Sequence, residues 1–414
     1  MSPRRRGASA PLSDAPLKPA PDPRRRLGQG LLIAFGLAIA LAMVLAPFKT
    51  ADQVEWYDPW MAQILARGWR AIAGDFANYT PPYIYLLTLA SPSVTLIGVK
   101  GAFALVNLVF LCLAALQTRA IVGRLTGSPA KGDWAAAALF VVPTVLVNGF
   151  LWEQCDIVYT CALLFFLRFI ISGRAWLAAV AFGVAVSIKL QAVFLAPLIV
   201  CLFLTGRLRV RHLLAVPLVY AAMMVPAWLA GRPPIETFLV YARQADTYHL
   251  LSSGAPNIWL LLQHRVVSYE LGTKLGLVLA ATSVVAVGGW AATRRLTPRA
   301  LLLIAALSAV VVPYLLPMMH DRYFFPADVL LVLLAFVEPR FWIAAALSQA
   351  GSLLAYSEFL GLRSVIPMSR PMSMFGVPEF TLILVWLVLE ALRLPPRGDD
   401  EPGPWHGSAW VRGR

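Results

Sequence analysis

The chain is a succession of apolar runs separated by short polar breaks, about twelve in all. They fall at about residues 31–48, 95–120, 134–150, 154–173, 176–190, 192–206, 212–230, 272–293, 299–318, 323–337, 340–357 and 378–394. About 20 such residues carry a helix across the hydrocarbon of a bilayer. In lipid, only elements that satisfy their own backbone hydrogen bonds can span, so repeated runs of this kind dictate a helical bundle. Composition agrees, with 59% hydrophobic and 14% charged residues, against about half and a quarter in soluble domains. The expected fold class is an all-α polytopic membrane protein with a bundle of about 12 transmembrane helices. Several runs reach only about 15 residues, which is tolerated where a helix packs inside the bundle and ends at a protein-lined cavity.

A net charge of +14 on a soluble protein would point to nucleic acid, but here the basic residues flank apolar runs, so no nucleic-acid partner is expected. Residues 1–27 carry the triplets Arg4–Arg6 and Arg24–Arg26 among Pro, Ala and Ser, and read as a disordered basic tail. Residues 28–394 read as the transmembrane domain and 395–414 as a second tail. A cleaved signal peptide also fits a basic flank before an apolar run. The length of the first run and the lack of a small-x-small site favour an uncleaved anchor. With the N-terminus in the cytoplasm, 23 of the 35 Lys and Arg residues fall on the cytoplasmic side. That is the positive-inside pattern, and an even helix count returns the C-terminus to the same side. The expected location is a bacterial inner membrane, with membrane lipids as surroundings.

The outer face holds the long connections: 49–94, 231–271 and 361–379. The first carries two amphipathic pieces, Trp56–Trp69 and Pro82–Leu89, expected to lie as helices in the interface. Function belongs on this face, where the irregular residues are concentrated.

Five constellations stand there. Residues 50–60, T-A-D-Q-V-E-W-Y-D-P-W, crowd Asp52, Glu55 and Asp58 beside Trp56, Tyr57 and Trp60. Partial desolvation and like charge there suit a general base; a solvated loop with interfacial aromatics reads equally from spacing. N-Y-T-P-P-Y-I-Y, residues 78–85, looks like a rigid helix start. N-G-F-L-W-E-Q-C-D, residues 148–156, sets Trp152, Gln154 and Asp156 between two helices with almost no linker. Such groups at membrane depth are functional candidates, or helix caps. Lys189 and Gln191 interrupt an apolar stretch, where an ammonium invites a phosphate or snorkels to headgroups. His320, Asp321 and Arg322 are compressed between two helices, and Arg322 either holds a phosphate or pairs with Asp321. Lesser features are Gln244, Pro256–Asn257–Trp259, and Arg363 with Arg370. The scattered His and Cys residues offer no metal cage, and no Walker, GxSxG or HExxH motif is present.

In order along the chain, these pieces resemble the GT-C class of membrane glycosyltransferases, and within it bacterial proteins similar to GPI mannosyltransferases. The signatures are an Asp after the first helix followed by Trp (Asp52, Trp60), N-Y-x-P-P-x-x-Y from Asn78 to Tyr85, N-x-x-x-W-x-Q-x-D from Asn148 to Asp156, and M-H-x-R-Y-F-x-P from Met319 to Pro326. K-L-Q-A after Ile188 and A-P-N-x-W from Ala255 also fit. The resemblance spans residues 50–326. It departs at one position: the residue between Trp152 and Gln154, usually Gly in that pattern, is Glu153.

The resemblance implies a GT-C-like bundle and an enzyme that moves a sugar, mannose or another hexose or pentose, from a polyprenyl-phosphate donor to a hydroxyl of a lipid or glycan acceptor, with inversion. It implies Asp52 as the base, with Glu55 and Asp58 as near alternatives. Trp60, Asn78, Tyr79, Trp152, Gln154, Asp156, Lys189, Gln191, Arg243, His320 and Arg322 are then substrate-binding candidates, with Lys189 and Arg322 meeting the departing phosphate and Arg243 or Arg363 in reserve. No cofactor or protein-bound metal is expected. A transporter or flippase of lipid-linked sugars is the alternative. It would show inverted repeats and mid-bilayer helix breaks; no repeat is evident, although Pro197, Pro217 and Pro226 interrupt helices.

Overall fold

In the computed structural model, residues 23–245, 249–263, 266–361 and 371–398 are described, side chains at 23–29 and 242–245 excepted. Seventeen α-helices run in chain order among them. They are α1 (Pro23–Leu45), α2 (Asp58–Arg67), α3 (Pro81–Ala90), α4 (Val94–Thr126), α5 (Pro129–Leu139), α6 (Pro143–Leu146), α7 (Asp156–Ile171), α8 (Ala175–Ile188), α9 (Ala196–Leu204), α10 (Val210–Leu229), α11 (Pro234–Ala245), α12 (Ile258–Leu262), α13 (Tyr269–Ala292), α14 (Pro298–Leu315), α15 (Phe325–Val337), α16 (Trp342–Phe359) and α17 (Gly376–Leu392). Every apolar run named above overlies one of these helices. Five spans, Pro81–Thr126, Val210–Leu229, Tyr269–Ala292, Pro298–Leu315 and Met372–Leu392, are long and apolar enough to cross a membrane. The pair 129–139 and 143–151, bent by 44°, makes a sixth, and shorter apolar helices lie at 30–45, 175–188, 190–204 and 325–337.

Helix α14 is the central post: 83% of its apolar window is buried, against 22–33% in the other long spans. A helix apolar on all sides belongs inside a bundle, and α15 is buried along nearly its whole length for the same reason. Helices α13, α15, α17 and α9 pack round α14, while α4, α5, α7 and α8 form the adjoining layer. The outward faces of the long helices keep Leu, Val and Ile exposed, among them Leu214, Leu218, Val278 and Val285, as suits contact with lipid tails.

The 49–94 connection departs from its expected form. Its first piece becomes a π-helical turn (Gln53–Tyr57), α2 and a 3₁₀ turn (Gly68–Ala73). Trp56 and Trp69 stay exposed, as on an interfacial helix. The second piece, α3, is instead embedded: Tyr83, Ile84, Leu87 and Thr88 are buried against α4, α8 and α10. Its residues are apolar on every side, so no polar face exists to lie towards water. At the far end, residues 395–397 do not begin as a free tail. Arg295 N–H donates to Pro395 O at 2.9 Å and Arg397 N–H to Thr293 O at 2.9 Å, tying them to the α13–α14 turn. Likewise α1 begins at Pro23, inside the basic segment expected to be disordered. The remaining tail residues lie outside the described ones.

Candidate active site

A cavity of about 790 Å³, counted with its open mouth, is lined by Asp52, Trp56, Tyr57, Trp60, Asn78 and Tyr79 from the 49–94 connection. Ile188, Lys189 and Gln191 come from the α8–α9 junction, Tyr241 from α11, His320, Arg322 and Tyr323 from the α14–α15 connection, and Phe359 from the end of α16. Five stretches far apart in sequence therefore meet in one hollow.

Asp52 sits just before the π-helical turn, and its Oδ2 accepts two hydrogen bonds, from Trp152 Nε1 at 2.8 Å and Gln154 Nε2 at 2.8 Å. These two donors explain why Trp and Gln stand two positions apart in the third motif. They flank Glu153, whose backbone is left-handed at φ 55°, a conformation in which glycine is unstrained and other residues are not. The structure thus supplies a reason for glycine at this position and shows what Glu153 does instead. Its carboxylate is fully buried, and Oε1 lies 2.7 Å from Lys100 Nζ. Burial pushes this carboxyl up to about 8, with Lys100 pulling the other way. The two neighbours left open as alternative bases are placed differently. Glu55 is exposed, and Asp58 pairs with Lys49 at 2.7 Å; neither lines the cavity.

Lys189 occupies an extended residue between α8 and the 3₁₀ turn Leu190–Leu195, placed there partly by Thr80, whose hydroxyl donates to Ser187 O at 2.6 Å. Nζ lies 2.5 Å from Asp156 Oδ1 and over the rings of Tyr79, Tyr159 and Tyr323 at 5.6–5.9 Å. Asp156 is the first residue of α7, where the helix dipole favours a carboxylate. Its other oxygen accepts from Asn148 Nδ2 at 3.0 Å and lies 3.8 Å from Arg322 Nε. Arg322 also reaches Asp321 Oδ1 at 3.5 Å and stacks its guanidinium 5.2 Å from the Trp152 ring centroid. Two cations and a carboxylate therefore form one charged floor.

The His320 segment is held by a short parallel pairing of β1 (Ser252–Ser253) with β2 (Met319–His320). The A-P-N-x-W motif supports it from behind. Asn257 Nδ2 donates to Pro313 O at 3.2 Å and Trp259 Nε1 to Leu315 O at 2.7 Å, satisfying carbonyls that the end of α14 leaves without helical partners. Burial, together with Arg322 and Lys189, pushes the imidazole of His320 down to about 3. Burial pushes the Asp321 carboxyl up to about 7, against the pull of Arg322.

Of the residues singled out from sequence, Asp52, Trp60, Asn78, Tyr79, Lys189, Gln191, His320 and Arg322 line the cavity. Trp152, Gln154 and Asp156 are buried behind it and hold the lining groups. Trp152 in particular packs its ring on Tyr356 and Phe359, at 5.6 and 5.3 Å between centroids, and offers no open face. The side chains of Arg243 and Gln244 lie outside the described ones, and Arg363 and Arg370 lie outside the described residues altogether. Sequence reasoning missed Tyr57, Tyr241, Tyr323 and Phe359 as cavity walls, and Lys100 altogether. Tyr57 and Tyr323 sit inside the quoted motifs, whereas Tyr241 and Phe359 had no local signal.

The fold is that of a helical membrane protein with a polar cavity among its connections. The chain belongs to glycosyltransferase family 87, whose model matches residues 76–318. Asp52, His320 and Arg322 lie outside that matched span. No curated protein sequence matches the chain significantly. Among solved structures, the crystal structure of ArnT from Cupriavidus metallidurans bound to undecaprenyl phosphate is similar over 87% of this chain and 76% of that one, at 15% identity and a TM-score of 0.48.

Proposed function

We propose that the enzyme transfers a sugar from a polyprenyl-phosphate donor to an acceptor hydroxyl on the outer face of a bacterial inner membrane, with inversion at the anomeric carbon. One observation carries this reading: a single carboxylate, Asp52, and two cations, Lys189 and Arg322, line the same cavity. That is the charge arrangement an in-line displacement with a phosphate leaving group requires. Asp52 Oδ1, which receives neither of the bonds from Trp152 and Gln154, takes the acceptor proton as its oxygen attacks. The C–O bond to phosphate breaks, and the negative charge gathering on the polyprenyl phosphate meets Lys189 and Arg322. His320, held neutral, serves as a hydrogen-bond partner to that phosphate. The aromatic walls, Trp60, Tyr79 and Tyr323 among them, suit the apolar faces of a sugar ring. A hexose such as mannose or a pentose is the donor sugar in this reading, and a lipid or glycan is the acceptor.

The test is release of free polyprenyl phosphate from a panel of polyprenyl-phosphate hexoses and pentoses by protein held in nanodiscs. Asp52→Asn is expected to lower turnover by at least a thousandfold at unchanged protein level and melting temperature. Undiminished turnover in that variant would remove Asp52 from the role of base.

A further inference from the structure

Lys100 lies two residues past the kink in α4 at Gly98, where φ is 71°, and is itself buried. Its ammonium donates to Phe48 O, at the exit of α1, and to Leu151 O at 3.0 Å, and it pairs with Glu153 Oε1 at 2.7 Å. One cation thereby joins the strand of chain leading into Asp52, four residues after Phe48, to the turn whose Trp152 and Gln154 hold the Asp52 carboxylate. The turn itself needs the left-handed residue at position 153. Reversing the backbone there brings the side chains on either side of it to the same oxygen of Asp52. A residue with a Cβ is strained in that conformation, so something must retain it. The paired Lys100 is placed to do so, its ammonium 2.7 Å from Oε1.

We propose that Lys100 and Glu153 are a positioning pair: they fix the 152–154 turn in its left-handed form and set it in register with residues 48–52, so that Trp152 and Gln154 aim Asp52. Neither residue lines the cavity, so neither touches the reacting atoms. The pair does by side-chain contact what glycine would do by freedom of the backbone. This inference rests on the reading of Asp52 as the base.

The test compares Glu153→Ala, Glu153→Gly and Glu153→Gln with the wild type in the donor-release assay, with Asp52→Asn alongside. Glu153→Ala is expected to lower kcat at least tenfold with KM for the donor unchanged, and to lose no more melting temperature than Glu153→Gly, which strands Lys100 equally. Glu153→Gly, free to take the left-handed form, and Glu153→Gln, which keeps an oxygen beside Lys100, are expected within threefold of wild type. Hydrogen exchange gives a readout independent of turnover: faster exchange in residues 147–156 for Glu153→Ala, and not for Glu153→Gly. Lys100→Met leaves the buried Glu153 side chain without its partner and is liable to misfold, so it is made together with Glu153→Gln. That double variant is expected to fold and to lose kcat at least tenfold. Wild-type kcat and exchange in Glu153→Ala, or a loss in Glu153→Gly equal to that in Glu153→Ala, overturns the positioning role. If Asp52→Asn retains activity, the base assignment falls instead, and the exchange data alone decide whether the pair holds the turn.

Discussion

Lys189 Nζ and Asp156 Oδ1 lie 2.5 Å apart at the floor of the cavity, the lysine lining it and the aspartate wholly buried beneath. The pair ties the α8–α9 junction to the first turn of α7, and the ammonium is the member that borders the cavity. A buried pair of this kind contributes little net stability while intact, but removing one partner leaves a charge buried without compensation.

Lys189→Gln is expected to lower kcat/KM for a polyprenyl-phosphate donor about a hundredfold, close to 2.7 kcal/mol of transition-state stabilisation. Asp156→Asn is expected to act mainly on stability, by about 3–5 kcal/mol, a cost that Lys189→Gln shares because it strands the Asp156 carboxylate. Thermal unfolding and donor-release kinetics on the two variants separate the roles. An Asp156→Asn protein as stable as wild type would show that the pair is not structural.

Arg322 serves three neighbours with one planar fork: Asp156, Asp321 and the Trp152 ring. Lysine keeps the charge but neither the fork nor the stacking plane. Arg322→Lys is therefore expected to lose at least tenfold in kcat/KM. Equal kinetics in the two proteins would mean that only the charge is used.

Trp152→Phe keeps a ring to pack on Tyr356 and Phe359 and deletes the indole donor to Asp52. A loss of about tenfold in kcat is expected, or about 1.4 kcal/mol, with little change in melting temperature. Glu55→Gln and Asp58→Asn, which leave the cavity lining intact, are expected within twofold of wild type. A loss in Glu55→Gln as large as in Trp152→Phe would reopen the choice of base.

Glu153 has a pH signature. Burial raises its carboxyl from the ordinary carboxylate value to about 8. Between about 4.3 and 8 the folded protein holds a proton there that the unfolded chain has released, so stability falls as pH rises through that window. The slope for one such group is about 1.4 kcal/mol per pH unit. Asp321, raised to about 7, acts in the same direction, and His320, lowered to about 3, acts in the opposite one below about 6.5. The contribution of Glu153 is therefore read as a difference between proteins. Melting temperature against pH should fall less steeply in Glu153→Gln than in wild type from about pH 5 to 8, and parallel curves would refute the shift.

The helical bundle was legible because lipid imposes one solution on a long apolar run, and each of the twelve runs coincides with a helix. The embedding of α3 was not, because a ten-residue segment with Pro81 and Pro82 at its head reads alike at an interface and inside a protein. Asp52, Lys189 and Arg322 stood out because charges beside apolar runs are costly unless used. Their partners did not stand out. Nothing near Lys100 in the chain announces Glu153, which lies 53 positions away, and Tyr241 and Phe359 reach the cavity only because α11 and α16 fold across it.

Residue types and their spacing thus determined the membrane class, the helices and the charged groups worth watching, since those follow from local solvation and helix geometry. Tertiary structure alone decided which of three neighbouring carboxylates lines the cavity, that Trp152 aims Asp52 and shows no open ring face, and that Glu153 turns inward. Each of these depends on contacts between segments from 50 to 270 residues apart, and a side chain's orientation is set by the neighbours that such closures bring to it.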